Sequence, residues 1–271
     1  MTMAHWSVYT EGRYDHTVVG DLRLARGVYS PQLNNHRDIM VHLPPSYWQT
    51  NKHYPVLYMQ DGQNLFDAYT SYAGEWGVDS ILNDLAREGI EAIAVGIPNA
   101  GESRVAEYSP YLNGHFRPAR GDAYIHFIMD TLKPMIDNDF RTLRDARHTG
   151  IVGSSMGGMI SLYGYLAYPW TFGLCAAMSP SLWIARSAVL DHVRHMGLRE
   201  GRVYLDVGTR EVPNRKYSSA TTDSVTTLAE YFEEAGYQDG KTLKYVRERG
   251  GEHNEAAWSR RLPDALRFLL G

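Results

Sequence analysis

A single cysteine, Cys175, stands in a chain of 271 residues, so no internal disulfide can form. It lies in the apolar run 172–178 and reads as a small buried hydrophobe, compatible with a reducing compartment. Basic residues are not in excess: 27 Lys and Arg against 31 Asp and Glu give a formal charge of −4. The basic face that usually marks a nucleic-acid-binding domain therefore has no support in the composition. No apolar run approaches the roughly 18–20 residues of a membrane-spanning helix. The opening Met1-Thr2-Met3-Ala4-His5-Trp6 lacks the basic and apolar regions of a secretory signal. A cytoplasmic location, with neither nucleic acid nor membrane as partner, is the expectation. Internal repeats, low-complexity tracts and linkers are missing too. A chain of this size, 44% hydrophobic and 21% charged, is expected to form one globular domain over residues 1–271.

The apolar patterning is that of an α/β protein. Strands are predicted at 17–28 and 36–43, the second stopped by Pro44-Pro45, as an antiparallel lead-in. Further strands are predicted at 54–59, 90–97, 148–153, 172–178, 202–207 and 242–247. Between them, helical spacing is read at 78–89, 122–140 with a kink at Pro134, 155–168, near 187–196, 219–235 and 254–270 with an interruption at Pro263. This alternation predicts a mostly parallel central sheet with helices on both faces. The long stretch 98–121 has little periodicity, as functional loops often do.

One stretch organises the rest. Gly153-Ser154-Ser155-Met156-Gly157 follows an apolar strand, precedes a helix and fits G-x-S-x-G, the nucleophile elbow of the α/β-hydrolase fold. Such a tight turn strains the nucleophile's backbone and leaves room only for small residues two positions to either side. Ser155 then heads a helix, where unpaired N–H groups favour a developing oxyanion.

A serine hydroxyl needs a base, and the base needs an orienting acid, in chain order Ser, acid, His. Three histidines follow Ser155. His192 and His195 sit in a charged stretch that reads as a solvated helix face. His253 follows a strand and Gly250-Gly251 and precedes the last helix, where a catalytic imidazole belongs. For the acid, Glu211 lies just beyond the strand that contains Asp206; Glu211 is favoured, with Asp206, Asp223 and Glu252 left open. The oxyanion donors expected are the backbone N–H of Met156 and that of Gln60 or Asp61, in the turn Gln60-Asp61-Gly62-Gln63.

Taken together, these segments resemble the esterase family of α/β-hydrolases that includes esterase D, the enterochelin (ferric-siderophore) esterases and microbial feruloyl and acetylxylan esterases. Residues 54–63 look like its oxyanion strand and turn, and Glu107-Tyr108-Ser109-Pro110, downstream of Arg104, like its substrate-side loop. Gly208-Thr209-Arg210-Glu211 matches its acid turn, and Gly251-Glu252-His253-Asn254-Glu255 with Trp258 its histidine motif. The resemblance implies serine ester hydrolysis through an acyl-enzyme, on a small-molecule ester and without metal or organic cofactor. Acyl transfer to an alcohol by the same triad, or a non-catalytic binding role, are the alternatives. Aromatic and arginine side chains expected above the sheet include Trp76, Arg104, Tyr108, Tyr111, Phe116, Arg117, Trp183 and Arg210. In a cleft they would favour an aromatic, sugar or siderophore-type ester, with Asp61 a further candidate contact.

Overall fold

The computed structural model describes residues 4–10, 15–111, 118–184 and 186–271. Phe116 and Arg117 lie outside them. Among the described residues one sheet runs in the order β1-β2-β3-β5-β4-β6-β7-β8-β9. β1 (Ser7–Val8), β2 (Asp21–Ser30) and β3 (Asn35–Leu43) are antiparallel, and β3 also lies antiparallel to β5 (Ile93–Ile97). From β5 onward every pairing is parallel, through β4 (Val56–Gln60), β6 (Thr149–Ser154), β7 (Leu174–Met178), β8 (Arg202–Arg210) and β9 (Leu243–Glu252). The expected architecture is therefore present: an α/β-hydrolase fold with a mostly parallel sheet and an antiparallel lead-in.

Helices close both faces. α1 (Val78–Ala86) and α8 (Glu255–Leu270) cover one. α2 (Arg104–Glu107), α3 (Gly121–His126), α4 (Lys133–Asp139), α5 (Met156–Ala167), α6 (Arg186–Met196) and α7 (Arg215–Glu234) lie elsewhere along the chain, with α3 to α7 on the opposite face. Strand residues alternate between the two cores, as a pleated ribbon requires. Val56 and Tyr58 enter the α5 side while Leu57 and Met59 enter the α8 side; Ile151 and Val152, and Cys175 and Ala176, divide the same way. Burial on both sides explains why these strands read as continuous apolar runs. Cys175 is fully buried, and burial pushes its thiol far above the ordinary range, in keeping with an inert core role.

Two prolines lie within helical stretches. Before Pro134 six residues, Phe127–Leu132, form a π-helical turn between α3 and α4. That wider turn relieves the clash a proline ring makes with the carbonyl four residues earlier. α8 likewise continues through Pro263 without interruption. β8 and β9 also run further than predicted, to Arg210 and Glu252, which are paired across the two strands. Their extensions place Glu211 and His253 immediately beyond the C-terminal ends of adjacent strands.

Candidate active site

Ser155 heads α5 with φ 56° and ψ −124°, a conformation that L-residues avoid. Space dictates the neighbouring glycines. A Cβ on Gly153 would lie 2.6 Å from the Gly157 backbone, and one on Gly157 would meet Gln60 Cβ at 3.0 Å. Among the described residues only four other than glycine have positive φ: Asn34, Asp61, Ser155 and Ser179. Three of the four belong to this site, which is where backbone strain concentrates in a folded chain.

Ser155 Oγ lies 2.9 Å from His253 Nε2, and His253 Nδ1 lies 2.5 Å from Glu211 Oε2. With Glu211 ionised, the imidazole donates from Nδ1 to the carboxylate and accepts from the serine at Nε2. Burial alone would raise the Glu211 carboxyl. The hydrogen bond from His253, with those from Gly208 N–H and Ser179 Oγ, outweighs it and holds the group below its ordinary value. Glu211 therefore stays charged. Trp258 stands edge-on to the His253 ring at 4.9 Å, and Asn254 caps α8 by accepting from Ala257 N–H, so the imidazole leaves a well-anchored helix start.

Asp206 is engaged elsewhere. It is fully buried, accepts from Ser179 N–H at 3.0 Å and lies 3.0 Å from Arg261 Nε, off the axis of a hydrogen bond. Burial pushes it up to about 7, with Arg261 pulling back. Of the acids left open by the sequence, Glu211 is the one in contact with His253.

The sequence model of the family described as "Putative esterase" matches residues 30–269. The chain belongs to this esterase family. The uncharacterized protein YbbA of Bacillus subtilis is 25% identical over 254 residues, covering 91% of this chain and 97% of the relative. The iron(III) salmochelin esterase of Escherichia coli is 26% identical over 232 residues, 80% of this chain but 50% of that protein. A solved IroE-like serine hydrolase from Shewanella oneidensis has the same fold, with a TM-score of 0.74 at 21% identity over 92% of this chain and 80% of the other.

In this esterase the expected substrate-side residues divide into three groups. Trp76 and Tyr108 are not cleft walls. Trp76 is buried against Trp258, with ring centroids 5.9 Å apart, so it backs the ring that backs His253. Tyr108 is wholly buried; its ring lies 4.9 Å from the Arg104 guanidinium, and its Oη accepts from Asp61 N–H at 3.2 Å. Both were misplaced because a large aromatic in a loop segment has the same sequence signature whether it faces the cleft or the core. Asp61 and Arg104 form a bidentate pair at 2.7 and 2.8 Å, and Asn99 also donates to Asp61. The aspartate charge beside the elbow is thereby neutralised. Trp183 and Arg210 are exposed.

Glu107 is fully buried and pairs with Arg37 at 3.0 Å, tying the segment that carries Tyr108 to β3. His192 and His195 sit on α6, His195 Nδ1 lying 2.6 Å from the Asp191 carbonyl oxygen. Among the described residues no group of His, Cys, Asp and Glu could hold a metal ion, and no helix is long and apolar enough to cross a membrane.

Two site residues were not singled out from the sequence. Ser181 Oγ lies 3.1 Å from Ser155 Oγ, and Ser181 N–H donates to the Ser155 carbonyl at 3.0 Å. Ser179 Oγ accepts from Arg261 at 3.0 Å and donates to Glu211 Oε1 at 2.8 Å. One three-residue turn, Ser179-Pro180-Ser181, thus touches both Ser155 and Glu211. The only available signal was its position, directly after β7 and next to the elbow strand.

Proposed function

We propose that the protein is a serine carboxylic-ester hydrolase in which Ser155 is the nucleophile, His253 the base and Glu211 the orienting acid. The observation that carries this reading is the unbroken hydrogen-bonded series from Glu211 Oε2 through His253 to Ser155 Oγ. In acylation, Ser155 Oγ bonds to the ester carbonyl carbon as His253 Nε2 takes the serine proton. The tetrahedral intermediate collapses by breaking the bond to the alcohol oxygen, which leaves with that proton. Water then repeats the sequence on the acyl-enzyme and releases the acid.

The oxyanion is assigned to the backbone N–H of Met156 and to the Gln60-Asp61 turn, which packs directly against Gly153 and Gly157. Asp61 N–H must exchange Tyr108 Oη for the substrate oxygen in order to serve. Trp183, exposed two residues after Ser181, supports an aromatic, sugar or siderophore-type ester, as does the relative described as a salmochelin esterase. A fluorophosphonate label tests the reading. Wild type is expected to be labelled and Ser155→Ala not; absence of label on wild type, or equal label on the variant, overturns it.

A further inference from the structure

Four arginines, Arg210, Arg215, Arg247 and Arg249, line one cavity of about 960 Å³ at the C-terminal ends of β8 and β9. Glu211 and His253 form part of the same wall, so the cavity lies against the relay. None of the four guanidinium groups has a carboxylate within ion-pair distance among the described residues. Two neighbouring acids are committed elsewhere. Glu248, between Arg247 and Arg249, pairs instead with Arg260 at 2.7 Å and Arg261 at 2.8 Å. Glu211 holds His253. Only Glu252 adds a second carboxylate to the lining, so the wall is net positive on a chain whose formal charge is −4.

Local rules are broken to gather these charges. Arg215 is the first residue of the 20-residue α7, whose first turn holds no acid. The positive end of a helix dipole disfavours a cation there by roughly 0.3–1 kcal/mol. Arg247 and Arg249 are two apart on β9 and share a face, where like charges repel. An anion in the cavity relieves both penalties at once. Guanidinium forks match carboxylate and phosphate oxygens in bidentate fashion, and a volume of this size holds a whole substituent.

We propose that this cavity is a subsite for an oxyanionic group, carboxylate or phosphate, carried by the ester substrate away from its scissile bond. The proposal rests on the esterase reading above, and the test separates the two. Turnover is measured at low salt for neutral methyl 4-acetoxybenzoate, for 4-acetoxybenzoate and 4-acetoxyphenyl phosphate (anion on the alcohol side), and for 4-nitrophenyl butyrate against 4-nitrophenyl hydrogen glutarate (anion on the acyl side). Each is repeated with the charge-reversed Arg247→Glu/Arg249→Glu protein and, as a milder change, Arg215→Ala. Intrinsic ester reactivity cancels in the comparison of variant with wild type. The ratio of kcat/KM for at least one anionic ester over its neutral partner is expected to fall at least ten-fold in the double variant, less in Arg215→Ala. The wild-type ratio is expected to fall as salt rises. Ratios that do not move for any anionic ester, with neutral esters still cleaved, overturn the subsite and leave the esterase reading standing. Failure to cleave any ester, with no fluorophosphonate label on Ser155, overturns both.

Discussion

Ser155 Oγ has two partners, and they ask different things of it. In the proposed mechanism His253 Nε2 accepts its proton, so the hydroxyl that points at Ser155 Oγ from Ser181 is left to donate. A donated hydrogen bond steadies the oxygen while negative charge builds on it and holds its rotamer towards the substrate. A neutral hydrogen bond contributes about 0.5–1.5 kcal/mol, which is about two- to twelve-fold in rate. Ser181→Ala is expected to slow phosphonylation of Ser155 by that factor, and Ser181→Thr, which keeps the hydroxyl, to recover most of it. Equal rates in all three proteins would reduce Ser181 to packing. The two acids are ranked by the same logic of contact. Glu211→Gln removes the charge that orients and stabilises the imidazolium and is expected to lower kcat by about 100-fold or more. Asp206→Asn, at a residue that makes no hydrogen bond to His253 or Ser155, is expected to stay within about ten-fold. Steady-state kinetics with both variants decides, and the reverse order would move the acid role to Asp206.

Among the elements, the elbow is the least forgiving. A methyl on Gly153 would sit 2.6 Å from the Gly157 carbonyl group and 2.8 Å from Gln60 Cγ, backbone on one side and a buried side chain on the other. Gly153→Ala is therefore expected to lose about 1–3 kcal/mol in urea denaturation and to lose fluorophosphonate labelling as well. Gly89, at φ +83° with open space around it, provides the contrast. Gly89→Ala suffers backbone strain of about 1–2 kcal/mol but should label normally. The elbow was legible from sequence because sterics allow so few residues there, and the buried strands because each face of the sheet demands apolar side chains. Strand ends were not. β8 and β9 continue to Arg210 and Glu252 by main-chain pairing and by polar side-chain bonds such as Gly250 N–H to Thr209 Oγ1, with residues that carry no apolar signal. The turn chemistry around His253 and Glu211 is distinctive even where the strand boundary is not. The π-helical turn before Pro134 had no such signature, since proline reports a lost hydrogen bond but not how the backbone absorbs it. Trp76 and Tyr108 failed for a related reason: loop position alone does not say which way a ring turns.

At the scale of the whole molecule, buried titratable groups make stability depend on pH in a sense opposite to that of most small proteins. Burial pushes Asp206 up to about 7 and Asp79 up to about 6, each from an ordinary 3.8. Between 3.8 and those values the folded chain holds protons that the unfolded chain has released, so these two acids favour folding most at the acid end and lose that contribution as pH rises. His42, buried in the lead-in and driven down to about 4 from 6.5, acts the other way; there the unfolded chain holds the extra proton, and stability is gained as pH rises. Two falling contributions against one rising one leave a net fall from about pH 4 to 6. Asp206 and His42 oppose each other up to 6.5, and Asp206 alone acts up to about 7. Glu211, held below its ordinary value, loses its contribution only as pH falls further. Asp206→Asn isolates the largest part. Its stability relative to wild type is expected to improve by up to about 1.4 kcal/mol per pH unit between about pH 4 and 7 and then to level off. Urea denaturation of both proteins at pH 5, 6, 7 and 8 measures this, and parallel curves would mean that Asp206 is ionised throughout, with Arg261 carrying its charge. Ionised Glu211 and part-protonated Asp206 then coexist near neutrality, linked through one serine, Ser179, which donates its hydroxyl to the first and its N–H to the second.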